Sequence, residues 1–239
     1  MARLTRTVNP VLPVDIGRHD GLAYTLWLPP AAPRGGVVIL HGAGSCKESH
    51  HDFARRLIAS RLAAIAFDQR GHGESDGPMD GRVLEDVASI TDVLRRACDV
   101  PEMPIALRGS SMGACFALLA APMMDARAVV AIAPAPPAGM RGALQAGRFQ
   151  LDADVPALDA FLAAQDLHDA LRSLDVPILL LHAAGDEQVP AEHSRELAEE
   201  LRSPTSRLIV VPGGHHRSVQ HDAELQAFSV RFLEKALAA

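Results

Sequence analysis

Residues 109–113 of this 239-residue chain have the sequence Gly-Ser-Ser-Met-Gly, with Ser111 at the centre. An apolar run, 104–108, precedes the pattern, and a helix-forming run, 114–120, follows it. This context predicts a strand, a sharp turn and a helix, with the Ser111 hydroxyl exposed at the top of the turn. Gly109 and Gly113 would leave room for a strained serine backbone because they lack Cβ atoms. Ser111 is therefore a candidate nucleophile.

A serine hydroxyl is a poor nucleophile at neutral pH, so an imidazole must accept its proton and later return it to the leaving group. The candidate bases are His215 and His216, which follow the apolar run 207–211. A buried carboxylate on the other imidazole nitrogen would fix the tautomer and stabilise the transient imidazolium ion. Asp186, which follows the apolar run 178–182, is the candidate acid, and its neighbour Glu187 is the alternative.

Short apolar runs alternate with longer amphipathic ones, which predicts βαβ units and a mostly parallel sheet. An edge hairpin is expected from residues 12–16 and 22–28, with a turn at 17–21. The further strands are predicted at residues 37–40, 63–67, 105–107, 128–133, 178–182 and 207–211. The helices are predicted at residues 45–60, 82–98, from 112 to before Pro122, 191–202 and 222–237.

Three of these helices have specific expectations. Residues 45–48 have the form of a capping box, and Phe53 and Leu57 should lie on the buried face of the helix that follows. Apolar residues at steps of four, three, four and three predict one buried stripe on the second helix. This stripe comprises Val83, Val87, Ile90, Leu94 and Ala97. The last helix is expected to bury Leu225, Phe228 and Phe232.

The interval from Pro134 to Pro177 is longer than a single crossover connection and opens with Pro, Ala and Gly. We expect a small cap at about 135–176 above the carboxyl edge of the sheet, inserted into a single domain that spans residues 1–239. Its apolar side chains could line an acyl pocket or hold the cap in place, and the sequence leaves both open. They are Met140, Phe149, Leu151, Phe161 and Leu162.

Composition excludes several classes of function. A formal charge of −6 with scattered Lys and Arg residues gives no footprint for nucleic acid. The N-terminal segment 1–10 begins with a basic character, but no continuous apolar segment follows it. No apolar run in the sequence reaches the roughly 18 residues of a membrane span. We expect a soluble, cytoplasmic monomer or homodimer. The hydrophobic fraction, 48%, is enough for one well-packed core.

Cysteine and histidine patterns do not predict a disulfide or a metal. The cysteines Cys46, Cys98 and Cys115 are odd in number and unrelated in spacing, so we expect them reduced and structural. Adjacent histidines, as at 50–51 and 215–216, point in different directions and do not form a chelate. Lys47 and Glu48 are expected to be solvated or capping charges.

Five segments together resemble the α/β-hydrolase superfamily, particularly its small bacterial esterase- and lipase-like members. They are LHGAGSCKE (40–48), AFDQRGHGES (66–75), GSSMG (109–113), LHAAGDEQVP (181–190) and PGGHHRS (212–218). The resemblance implies an α/β-hydrolase fold, which is a mostly parallel twisted sheet with helices on both faces and a small cap segment. It also implies catalysis without a cofactor.

The same resemblance suggests further roles. The family's PGxxH pattern favours His216 over His215, and its GDxxVP pattern favours Asp186 over Glu187. Backbone N–H groups of Ala43 and Met112 would form the oxyanion hole, whereas His41 and His72 are expected to be structural residues.

The function expected from these residues is hydrolysis of a carboxylic ester with a small-to-medium acyl group, through an acyl-enzyme. Thioesters, amides and C–C bonds next to carbonyl groups remain alternatives, because the same triad cleaves them in relatives. A non-catalytic ligand-binding protein with a vestigial triad is the alternative from another class.

Overall fold

In the part of the chain that the structure describes, eight strands form one open sheet in the order β1-β2-β4-β3-β5-β6-β7-β8. The computed structural model describes residues 11–149 and 151–238, and the basic stretch 1–10 lies outside them. The strands are β1 (Asp15–His19), β2 (Leu22–Trp27), β3 (Gly35–Leu40), β4 (Leu62–Phe67), β5 (Ile105–Ser110), β6 (Ala128–Ile132), β7 (Ile178–Ala183) and β8 (Arg207–Val211).

Strands β1 and β2 form the expected antiparallel hairpin, and β2 also pairs antiparallel with β4. All other neighbours in the sheet are parallel. The central strands are buried on both faces, as parallel strands covered by helices must be. Carboxyl ends of β3, β5, β7 and β8 therefore lie along the same edge of the sheet.

Helices cover both faces of the sheet. They are a short 3₁₀ helix (Lys47–His50), α1 (His51–Ala59), α2 (Val83–Cys98), α3 (Met112–Ala120), α4 (Pro137–Gln145), α5 (Val155–Ala163), α6 (Leu167–Arg172), α7 (Ala191–Ala198), α8 (Ser218–His221) and α9 (Ala223–Leu237). Val38 and Leu40 of β3 pack in the core beside α2 and α3, whereas Val37 and Ile39 pack in the core beside α1 and α9. Alternate side chains of one strand thus enter two separate cores.

Several local expectations were wrong. The first strand is Asp15–His19 rather than 12–16, because it pairs through its backbone and four of its five side chains are polar or absent. The capping box is not formed: Cys46 precedes the 3₁₀ helix without a side-chain cap, and Ser45 Oγ bonds Ser49 Oγ instead.

Burial of the helices also differs in detail from the expected pattern. Phe53, Leu57 and the first four residues of the α2 stripe are buried, but Ala97 is exposed. Leu225, Phe228 and Phe232 of α9 are only partly buried. The buried apolar side chains of that helix are Val230, Leu233 and Leu237.

Helices α4, α5 and α6 occupy the interval 135–176. Helix α4 packs against α5, and α6 packs against α3. Residues 152–154 are joined to the loop after β4 by backbone hydrogen bonds from Met79 N to Asp152 O and from Asp154 N to Met79 O. The division into one domain with a cap at 135–176 stays a prediction.

Candidate active site

Ser111 lies at the junction between β5 and α3, on a turn with an unusual backbone. Its φ is +52° and its ψ is −118°, a region that L-residues rarely adopt. A Cβ on Gly109 would lie 2.1 Å from Gly113 O, and a Cβ on Gly113 would lie 2.4 Å from His41 O. Glycine at both positions is therefore required by close backbone contacts, as the sequence predicted.

The strained turn is stabilised by hydrogen bonds to neighbouring segments. Ser111 N donates to Ile132 O on β6 at 2.8 Å, and its carbonyl oxygen accepts from Ala135 N at 3.2 Å. The hydrogen bonds to Ile132 and Ala135 thus hold the Ser111 backbone in its unusual conformation. The Ser111 side chain is half-buried rather than enclosed.

Asp186 follows β7, and its side chain is inaccessible to solvent. Oδ1 accepts from the backbone N–H groups of Gln188 at 2.9 Å and Val189 at 3.0 Å. Oδ2 lies 2.7 Å from His216 Nδ1. Burial would raise the pKa of Asp186, but these hydrogen bonds outweigh it and leave the pKa below its usual value, so the carboxylate is ionised at neutral pH.

A second imidazole lies against the same carboxylate and was not predicted. His182, buried within β7, places Nε2 3.2 Å from Asp186 Oδ2 and 2.9 Å from Val189 O. Its Nδ1 lies 2.6 Å from Ser194 Oγ on α7. The only signal in the sequence was the histidine at the end of an apolar strand, which does not say what it contacts.

His216, rather than its neighbour, is the histidine beside the acid. His215 is exposed, and its Nδ1 accepts from Arg217 N instead. The alternative acid, Glu187, is exposed, and the hydrogen bond from His216 goes to Asp186. A backbone bond from Gly185 N to Gly213 O, 2.9 Å long, joins the two loops that hold Asp186 and His216.

Ala43 and Met112 lie on the two segments that meet beside Ser111. A Cβ on Gly42, which precedes Ala43, would lie 3.3 Å from Ser111 Cβ. Neither Ala43 N–H nor Met112 N–H donates to an acceptor within residues 11–149 and 151–238. Both groups are thus available to a ligand, and Met112 N also opens helix α3, where unbonded N–H groups favour negative charge.

Ser111, His216 and Ala43 line one cavity of about 620 Å³, a volume typical of small-molecule sites. Met140 of α4 and Phe149 contribute apolar surface, so these two residues of the interval 135–176 face the cavity. Leu162 is buried, and Phe161 packs edge-on against Phe116 of α3 with centroids 6.1 Å apart. Of the five apolar residues named from the sequence, Met140 and Phe149 therefore line the cavity, whereas Phe161 and Leu162 pack in the interior.

Lys47 is not a solvated charge as expected, since its side chain is 1% exposed. Its Nζ lies 2.8 Å from Asp68 Oδ2 and 2.7 Å from Glu74 Oε2, and its backbone N donates to Asp68 Oδ1 at 2.7 Å. Burial would lower the pKa of Lys47, but the three carboxylates around it raise the pKa above its usual value. This ion pair joins the segment after Ala43 to the loop after β4.

A second buried cation, Arg108, connects β5 to the 3₁₀ helix and to α8. Arg108, on β5, donates from Nη1 to His50 Nδ1 at 2.9 Å and from Nη2 to Gln220 O at 3.2 Å. Its guanidinium stacks 4.0 Å above the centre of the Phe53 ring. Burial lowers the pKa of Arg108 to about 10, which leaves it charged at neutral pH.

Within residues 11–149 and 151–238, no group of three or more His, Cys, Asp or Glu is placed to hold a metal ion. The cysteines are unpaired thiols, and burial raises the pKa of Cys98 to about 11. None of the helices in this part of the chain is long and apolar enough to cross a bilayer.

Comparison with known proteins identifies relatives over most of the chain. The family model described as serine aminopeptidase, S33, matches residues 31–151 and 155–223. Monoacylglycerol lipase of Mycolicibacterium smegmatis is 28% identical over 242 aligned residues, covering 82% of this chain and 85% of that protein.

Solved structures share the fold at lower identity. The crystal structure of Paleococcus ferrophilus monoacylglycerol lipase is 22% identical, with a TM-score of 0.70, and the match covers 90% of this chain and 99% of that one. A thermostable carboxyl esterase from Bacillus coagulans is 13% identical with a TM-score of 0.77, over 95% and 98% of the two chains. The open, mostly parallel sheet with helices on both faces is thus the fold of these hydrolases.

Proposed function

Because the chain belongs to the serine aminopeptidase S33 family of α/β-hydrolases, we propose that it is a serine hydrolase of carboxylic esters. One observation carries the proposal. Ser111 and His216 line the same cavity, and the buried Asp186 carboxylate accepts from His216 Nδ1, which leaves Nε2 as the nitrogen able to accept a proton. This arrangement supports Ser111 as the nucleophile and His216 as its base.

In the proposed mechanism, Ser111 Oγ attacks the carbonyl carbon of the ester while its proton passes to His216 Nε2. The resulting oxyanion accepts hydrogen bonds from Ala43 N–H and Met112 N–H, each worth roughly 3 kcal/mol in such sites. Collapse of the tetrahedral intermediate breaks the bond to the alkoxide, which takes the proton from His216. A water molecule, deprotonated by His216, then hydrolyses the acyl-enzyme and releases the carboxylic acid and Ser111.

The cavity supports an acyl group of small to medium size. Met140 and Phe149 provide apolar contacts, and the cavity volume suits a ligand of drug size rather than a polymer. Relatives named as monoacylglycerol lipases favour a glycerol ester as one substrate to test. A cytoplasmic location and a monomeric or homodimeric state also stay predictions.

An amide substrate is the second candidate, favoured by the aminopeptidase description of the family and by the exposed Glu187 carboxylate at the cavity. A free α-amino group next to the scissile bond could pair with this carboxylate. Thioesters and C–C bonds next to carbonyl groups stay alternatives on chemistry alone, since they would use the same serine and histidine.

A fluorophosphonate probe tests the nucleophile directly. We expect stoichiometric labelling of the wild-type protein and none of Ser111→Ala. The neighbouring Ser110→Ala variant should still be labelled, because Ser110 continues β5 and lies outside the proposed proton path. No labelling of the wild-type protein at neutral pH, with a native circular dichroism spectrum, would favour a ligand-binding protein with a vestigial triad.

A substrate panel then defines the bond. p-Nitrophenyl esters of graded acyl length, a monoacylglycerol, a thioester and an amino-acid anilide should be compared by kcat/KM. We expect the esters to exceed the anilide by orders of magnitude, with a maximum at short or medium acyl length. Preference for the anilide, abolished by Glu187→Gln, would instead establish the peptidase alternative.

A further inference from the structure

Two buried histidines outside the triad lie between the loop after β3 and the loop after β4. The rings of His41 and His72 pack edge to face, with centroids 4.8 Å apart and planes at 67°. Both are buried, at 0% and 6% exposure. Neither is placed to transfer a proton in the mechanism above, so their burial calls for another explanation.

The hydrogen bonds of His41 determine which of its nitrogens holds the proton. Gln69 N–H donates to His41 Nε2 at 3.0 Å, so Nε2 must be the acceptor. Nδ1 therefore has the hydrogen and donates to Gly42 O at 2.8 Å. His41 thus accepts from the loop after β4 and donates within its own loop.

His72 has the reciprocal arrangement. Gly44 N–H, in the loop after β3, donates to His72 Nε2 at 3.1 Å, and Nδ1 donates to Arg70 O at 3.1 Å in its own loop. Each histidine therefore accepts from the opposite loop and donates to its own, and both bonds to the opposite loop require a neutral ring.

These bonds fix the two peptide groups on either side of Ala43. Gly42 O, held by His41 and by Ser45 N at 3.2 Å, belongs to the same peptide group as Ala43 N–H. A trans peptide is planar, so its N–H points opposite its C=O, and holding the oxygen sets the direction of the N–H. The next peptide is held through Gly44 N–H by His72.

We propose that His41 and His72 act together as positioning residues that aim Ala43 N–H at the oxyanion formed on Ser111. This inference rests on the proposed function, because it gives the oxyanion hole a supporting layer. Neither residue touches the substrate. Their effect is on a backbone donor whose contribution depends on its being held in place before the reaction.

Electrostatics support neutral rings at ordinary pH. Burial lowers the pKa of His41 to about 4, with the neighbouring His72 acting in the same direction and Gly42 O, Asp68 and Glu48 opposing it. Burial also lowers the pKa of His72 below its usual value, against hydrogen bonds to its own loop and the charge of Asp68. Lys47, paired with Asp68, lies in the same polar layer.

Paired substitutions separate positioning from packing. His72→Gln retains an oxygen near the place of Nε2, so it can still accept from Gly44 N–H, whereas His72→Phe fills the space without an acceptor. His41→Asn likewise retains a donor near Nδ1, and His41→Phe does not. The control is His193→Gln, a partly buried histidine of α7 outside the cavity.

We expect the Phe variants to lose about 10- to 100-fold in kcat on a p-nitrophenyl ester, with KM changed by less than about threefold. The Gln and Asn variants should recover most of the loss. The inhibition constant of a trifluoromethyl ketone, which forms a tetrahedral oxyanion on serine, should rise by the same factor as kcat falls. The control variant should match the wild type in all three quantities.

Two results would overturn the proposal. One is a Phe variant with wild-type kcat and wild-type inhibition constant. The other is that the Gln and Asn variants lose as much kcat as the Phe variants and show the same decrease in urea midpoint. That result would indicate structural damage alone.

¹⁵N NMR of the histidine rings tests the geometry without turnover. We expect both rings to be neutral, with the proton on Nδ1, at pH 7. Protons on Nε2 would refute the hydrogen-bond arrangement even in an active enzyme. If the wild-type protein hydrolyses none of the panel but shows this tautomer, the proposed function fails while the loop contact stands.

Discussion

His216 Nδ1 and Asp186 Oδ2 are 2.7 Å apart, although 30 residues separate them in the chain. The carboxylate is shielded from water, and its other oxygen accepts two backbone N–H bonds. A carboxylate held by three donors, Gln188 N–H, Val189 N–H and His216 Nδ1, cannot turn away from the imidazole without leaving a buried donor unpaired. Orientation of His216 is therefore determined by a rigid acid rather than by its own loop alone.

Asp186→Asn tests this orientation. The amide can present an N–H to His216 Nδ1, which favours the tautomer with the proton on Nε2 and removes the base. We expect kcat to fall by about 10³- to 10⁴-fold with a small change in KM. Asp175→Asn, an exposed residue paired with Arg202, is the matched control and should keep full activity. Wild-type kcat in Asp186→Asn would contradict the assigned role.

His216→Gln and His215→Gln compare the two adjacent histidines. Only His216 contacts Asp186 and lines the cavity, so its substitution should reduce kcat by more than about 10³-fold. His215→Gln should keep activity within about threefold of the wild type, because its ring is exposed. Initial rates on one p-nitrophenyl ester decide between them, and loss of turnover in His215→Gln alone would reverse the assignment.

Lys47→Met tests the buried ion pair that joins the segment after Ala43 to the loop after β4. The substitution leaves the Asp68 carboxylate buried without its cation, so the free energy of unfolding should fall by about 3–5 kcal/mol. Arg18→Met removes the cation of an exposed pair with Asp76, whose side chains are 46% and 69% exposed. That variant should lose less than about 1 kcal/mol. Urea denaturation measures both, and equal losses would refute the distinction.

Acid should destabilise the fold through its buried neutral histidines. The pKa of His41 is about 4 in the folded protein and returns to about 6.5 on unfolding, so the unfolded chain binds more protons between these values. His50 acts in the same direction, since burial lowers its pKa well below the usual value. The contribution of the neutral His41 ring to the free energy of unfolding is fully present above pH 6.5. It decreases by about 3 kcal/mol as the pH falls towards 4.

Urea midpoints at pH 7.5, 6 and 5 measure this effect. His41→Asn should flatten the dependence, whereas His215→Gln, which removes an exposed ring, should leave its slope unchanged. A midpoint independent of pH in the wild-type protein would show that the buried rings are already protonated or become exposed.

Most strands of the fold could be predicted because parallel strands buried on both faces are short, continuous apolar runs. β1 could not be placed, since its mostly exposed residues leave no apolar pattern and its backbone bonds to β2 define it. The prediction that Ala97 is buried was wrong for a geometric reason. A mean step of 3.5 residues drifts from the helical 3.6, so the end of the stripe rotates away from the sheet.

The candidate site also contains residues that the sequence could predict and residues that it could not. Ser111, Asp186 and His216 stand in local patterns at strand ends, which made them visible in the sequence. Lys47 looked like a solvated or capping charge, but its backbone N–H and its ammonium group both bond Asp68, 21 residues away. Contacts of this kind, like those of His182 and Arg108, depend on which segments the sheet order brings together, and no local pattern records them.

Among the described residues, His216 comes after all eight strands, whereas Ser111 follows β5. The loop that holds His216 contacts the loop that holds Asp186 only when β7 and β8 have been added to the parallel sheet. Such long-range pairing forms slowly. A refolding or growing chain would therefore complete the turn at Ser111 well before the loop that holds His216 reaches Asp186. Recovery of esterase activity should mark the last step of assembly, later than the return of helical circular dichroism.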